Sequence, residues 1–99
     1  MSLRHLSWRH VVFCAGPLVV GCAETQQLRG QVGGLKHVVK QAQDNGAKWC
    51  APRELAIAES QLEFAELELD QGSPSAASRH LWLAEPNAHA AVALSPREK

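Results

Sequence analysis

The chain has 99 residues with ten acidic and ten basic side chains, so its formal charge is zero. No basic patch is present, which excludes nucleic acid as a partner. Aromatics make up only 5% while Ala, Leu, Glu and Gln are abundant, a balance that points to helix rather than strand.

The N-terminal segment reads as a signal peptide. Arg4 and Arg9 supply a positive start, and Val11 to Val20 follow as an apolar run. A run of about ten residues matches the apolar part of a signal and falls well short of the roughly twenty needed to span a bilayer. Val19-Val20-Gly21-Cys22 closes it in the manner of a lipoprotein signal, with Val19 standing where Leu is usual. The small Gly21 suits cleavage between Gly21 and Cys22, and the Cys22 thiol is the group that would carry lipid. Two or three acyl chains hold a protein on a membrane durably. Ala23 and Glu24 follow, with no Asp directly after the cysteine, so the inner-membrane retention signal is missing and the outer membrane is the expected site. An ordinary cleaved signal and a chance apolar segment are the alternatives. On this reading residues 1–21 are removed, 22–94 form one small helical domain, and 95–99 are a loose polar tail. Loss of Arg4 and Arg9 leaves the remainder slightly acidic.

Cys14 leaves with the signal and Cys22 is acylated, which strands Cys50 as a lone thiol. A buried thiol is its default reading, because free Cys packs as a small hydrophobe, and an intermolecular bridge or a partner missing from this chain are the alternatives.

Three helical stretches follow in order. From Glu24 to about Asp44, Leu28, Val32, Leu35, Val39 and Ala42 form one apolar stripe at steps of four and three. Gly30, Gly33 and Gly34 weaken its first half, which is expected to fray. Asn45-Gly46 stops it. The second stretch starts at Pro52, suited to the first helical position, with Glu54 in the first turn. Leu55, Ala58, Leu62, Ala65 and Leu69 form its stripe, and Ile57 with Phe64 form a second ridge, so two neighbours are expected. Glu59, Glu63, Glu66 and Asp70 add an acidic stripe before Gly72 ends the helix. Ser73-Pro74 then opens a third stretch, with Ser as cap, carrying Ala77, Leu81, Ala84, Ala88 and Ala91. Pro86 is expected to kink it or break it near Glu85. The fold expected is all-α: a short antiparallel array of three helices, the third kinked at Pro86.

The chemistry in these stretches is sparse. His37, His80 and His89 with Cys50 lack metal-ligand spacing, so no metal or cofactor is implied. The carboxylates at 59, 63 and 66 share one helix face, whereas general acid/base work needs groups converging across a pocket. Ser, His and Asp occur without a nucleophile elbow, and the glycines follow no strand. No enzyme is expected. Trp49 reads as core, and Trp82 reads equally as core or as part of an interface. The acidic stripe of Glu59, Glu63, Glu66 and Asp70, together with Trp82, is the candidate interaction surface.

Cys50-Ala51-Pro52-Arg53-Glu54-Leu55-Ala56, then Ala58-Glu59, Leu62-Glu63-Phe64-Ala65 and Leu69-Asp70-Gln71-Gly72, carry a likeness. With Gly46-Ala47 before them and Ala84-Glu85-Pro86-Asn87-Ala88 after, they resemble a small tetratricopeptide-like domain of bacterial envelope lipoproteins. The likeness extends from Leu28 to Leu94. That family's domain often stands between a lipid anchor and an OmpA-like domain that holds peptidoglycan. The resemblance implies a non-catalytic scaffold with an envelope protein partner or self-association, and contact with peptidoglycan only indirectly. The chain ends at Lys99, where the wall-binding domain would begin. A truncated or stand-alone relative of an OmpA-type tether is therefore the alternative expectation.

Overall fold

A computed structural model describes the backbone of residues 2–96 and the side chains of residues 23–96. Gly21 and Cys22, the cleavage and lipidation residues, thus lie outside the residues whose side chains are described. The described chain is all helical. Four elements run α1 (Ser2–Asp44), α2 (Ala47–Cys50), α3 (Pro52–Asp70) and α4 (Pro74–Ala93).

The three apolar stripes are the core. Every residue of each is buried, joined among the described hydrophobic residues only by Ala47 and Ala51 from the α1–α3 connection. Among the described residues, nine of the seventeen buried hydrophobic ones are alanines, and they concentrate in the second half of the chain. Small side chains let helix backbones approach closely, while the six leucines fill the space between them.

The order of the pairing fixes the topology. Arg29 meets Asp70, Lys36 meets Glu66 and Gln43 meets Glu59, so α1 and α3 run antiparallel. α4 returns antiparallel to α3 and lies parallel to α1, packing against both. The contacts of α3 with its two neighbours come from its main stripe and its flanks. The second ridge contributes less, since Phe64 stays half exposed against the His80 ring.

Two glycines make the turns. Gly46 takes a left-handed conformation (φ 89°) after Asp44, and its amide donates to the Gln43 carbonyl. Gly72 (φ 80°) ends α3 with the Ser73 amide reaching back to the Glu68 carbonyl (2.8 Å) and the Gly72 amide to that of Leu69 (3.1 Å). That pair of bonds is a Schellman motif, which satisfies carbonyls the helix leaves open.

Several expectations are corrected. The glycines at 30, 33 and 34 do not fray α1, which is helical through all three and begins well before Glu24. Flanking stripe residues buried against α3 and α4 offset their poor propensity. The array has a fourth element, the single turn α2. Gly46 starts it, and Ala51 breaks it at φ −144° because the residue before a proline is pushed out of helical space. Because Ala47 and Ala51 are the buried positions of that turn, Lys48, Trp49 and Cys50 face outward. Trp49 is therefore 82% exposed rather than core, and the Cys50 thiol is exposed rather than buried.

α4 does not break at Pro86. Ala84, Ala88 and Ala91 are buried on both sides of the proline, and the Asn87 amide side chain donates to the Leu83 carbonyl (2.9 Å). Ser73 occupies the cap position of α4, yet its side chain makes no capping bond. The tail is not loose at its start. Ser95 is buried, its amide donates to the Val92 carbonyl, and its hydroxyl has no partner among the described residues.

Candidate interaction surface

The acidic stripe of α3 lies along its seam with α1. Asp70 accepts from Arg29 (3.3 Å), Glu66 from Lys36 (2.8 Å) and Glu59 from the Gln43 amide (2.6 Å). Glu63 also borders that seam, in a shallow groove with Lys36, Lys40 and Leu62. Three of the four carboxylates thus already have a partner within the chain. Lys40 is turned to Asp44 in its own helix (2.7 Å). All of these pairs are solvent-exposed, so each contributes at most about 1 kcal/mol. Their main effect is to set the register of α1 on α3.

Trp82 stands on the other side of α4. It is 80% exposed and borders a groove of about 300 Å³ between α1 and α4. The floor is Leu35, Val38 and Leu81, and the rim is Gln31, Ser78, Glu85 and His89. Gly34 forms one wall, where a methyl group in place of its hydrogen would meet nothing within 4 Å. An apolar floor, a polar rim and a projecting indole are the ingredients of a binding hot spot. Sequence reasoning found Trp82 and missed the groove, although Gly34 was visible as a residue leaving no side chain on that face of α1.

The other features are more dispersed. Lys48 lies 5.7 Å from the Trp49 ring centroid at the α1–α3 turn, beside the exposed Cys50. Phe64, Leu67 and Leu83 are partly exposed along the outer face of α3 and α4. His80 contacts Gln61 (2.7 Å) and comes within 4.0 Å of Glu68. His37, His89 and Cys50 do not join it, and no group of His, Cys, Asp or Glu among the described residues could hold a metal ion.

Toward the N-terminus, every buried residue among those described lies at Leu28 or later. Ala23, Glu24, Gln26 and Gln27 are exposed, so a short solvated stretch separates position 22 from the packed bundle. No helix among the described residues is long and apolar enough to cross a membrane. No protein-family model, curated protein or solved structure matches the chain.

Proposed function

We propose that the chain is a non-catalytic, lipid-anchored interaction module of the bacterial cell envelope, facing the periplasm from the outer membrane. The observation that carries this reading is the position of Val19-Val20-Gly21-Cys22 just ahead of the packed bundle. Removal of residues 1–21 takes nothing from the described core, which starts at Leu28. The remaining α1 would begin at the acylated residue and lead into the bundle within about two turns, or roughly 9 Å.

In this reading α1, α3 and α4 are the three helices of a tetratricopeptide-like array, with Pro86 bending the last. The work is done by surface rather than by catalysis. The α1–α3 seam is largely occupied by its own ion pairs, which leaves the Trp82 groove as the place to bind another protein. Contact with peptidoglycan would be indirect.

Intact mass of the protein extracted from membranes, beside a Cys22→Ala variant, tests the anchor. The expected result is loss of residues 1–21 plus added acyl mass, abolished by the substitution. An unprocessed chain in the soluble fraction would overturn the anchor and the localisation together.

A further inference from the structure

We infer that the outward face of α4 rests on the phospholipid headgroup layer of the membrane that holds the anchor, with Trp82 in the interface and Arg79 at the phosphates. This deepens the anchored-module reading and rests on it, since so small a face docks durably only on a chain already held at a membrane.

Composition is the first argument. α4 carries two charged side chains in its 20 residues, Arg79 and Glu85, where α3 carries seven in 19. Its buried residues, Ala77, Leu81, Ala84, Ala88 and Ala91, lie on one side. Arg79, Pro86 and Ala93 recur at intervals of seven on the opposite side, and all three are exposed. Trp82 and Leu83 flank that line and are exposed as well. Together with Ser78 and Arg79 they line one open depression of about 340 Å³. Glu85 turns instead to the α1–α4 groove. The outward face is thus mainly apolar, with one cation and no anion.

Charge agrees with composition. Arg79 makes no ion pair among the described residues. α1, α3 and α4 each pack against the other two, so the outward face of α4 lies across the bundle from the α1–α3 seam. On that seam Glu59, Glu63, Glu66 and Asp70 outnumber Arg29, Lys36 and Lys40, and Lys40 is turned to Asp44. A bilayer surface bearing anionic headgroups attracts the face with the lone cation and repels the net acidic seam. The two effects select one orientation of the bundle.

The side chains on the face suit lipid. An indole settles at headgroup level, its ring toward the acyl chains and its N–H toward water. An arginine lays its stem along apolar surface and donates paired hydrogen bonds to phosphate. α4 is about 30 Å long, and an interfacial helix sinks its apolar side by roughly 5–10 Å. The acyl chains make this docking intramolecular, so a weak face can still set the orientation. Among residues 23–27 none is buried. Unwound, those five reach roughly 17 Å, more than the 8–10 Å or so between packed helix axes. The anchor can therefore pass from α1 to the surface beneath α4. The Trp82 groove then opens alongside the bilayer, toward a partner held at the same membrane.

The test is tryptophan fluorescence of the full chain on vesicles of phosphatidylethanolamine and phosphatidylglycerol, with and without brominated acyl chains. Bromine quenches only indoles that enter the bilayer, and intact mass records whether the chain is acylated. Trp8→Phe with Trp49→Phe leaves Trp82 as the one indole. A control chain adds Trp82→Phe and Glu63→Trp, which moves the indole to the α1–α3 seam. The expected result is emission that is blue-shifted and quenched by bromolipid for Trp82, and neither for the indole at position 63. Arg79→Gln should lower the ratio of docked to free Trp82 by about fivefold. An acylated chain whose Trp82 emission ignores the vesicles would overturn the proposal and leave the anchor standing. Equal quenching at 82 and 63, or an Arg79→Gln chain that docks like the parent, would overturn it too. A blue shift that bromolipid does not quench would give the face to a second copy or another protein and overturn the lipid assignment. A chain without acyl mass whose Trp82 is still selectively quenched would support the face and overturn the anchor.

Discussion

The same substitution, glycine to alanine, should stabilise this protein at one position and destabilise it at another. Gly33 is inside α1, does not line the Trp82 groove, and a methyl group there would meet nothing within 4 Å. Alanine should therefore recover helix propensity at no steric cost, about 0.8–1 kcal/mol. Gly72 also has open space around it, but its φ of 80° is in the left-handed region. An L-residue held there costs about 1–2 kcal/mol, so Gly72→Ala should lose that amount. For a domain of this size, each kcal/mol moves the midpoint by roughly 4–8 °C. Thermal and urea unfolding followed by far-ultraviolet circular dichroism would separate the two variants, with m unchanged in both. A Gly33→Ala protein that melts lower than the parent would refute the reasoning. It would mean that the segment is not helical in solution or that something packs on that face. Equal effects at both positions would show that space alone, and not backbone conformation, controls these sites.

Pro86→Ala should stabilise α4 by about 1–3 kcal/mol, since it returns the amide that the Trp82 carbonyl lacks and removes the ring clash. Urea unfolding would detect it, and a destabilised variant would show that the proline ring itself is needed for packing. Ala65→Leu should destabilise by at least about 1–3 kcal/mol, because Ala65 is fully buried where helices approach closely. Its midpoint in the same assay should fall, whereas an unchanged one would point to a loosely packed core. Lys36→Ala should cost under about 1 kcal/mol despite a 2.8 Å contact with Glu66, as both side chains are exposed. That loss should shrink as salt is added, and a salt-independent loss would assign it to packing of the lysine stem.

The fold was legible wherever one apolar period ran unbroken. Each stripe residue in the three stretches is buried, and Gly46, Pro52, Gly72 and Pro74 mark their ends. What escaped was set by short-range geometry that periodicity does not register. One turn of helix between Gly46 and Pro52 decides that Ala47 and Ala51 face in and Trp49 and Cys50 face out. Hydrophobicity alone would assign the tryptophan to the core, and only the buried alanines on either side of it overrule that. The surface was harder to read. Arg29, Lys36 and Gln43 recur on one side of α1 and answer the carboxylates of α3, a complementarity visible in the sequence once the two helices are taken as antiparallel. Read in isolation, the acidic stripe looks like a free surface. Tertiary contact turns most of it into a seam.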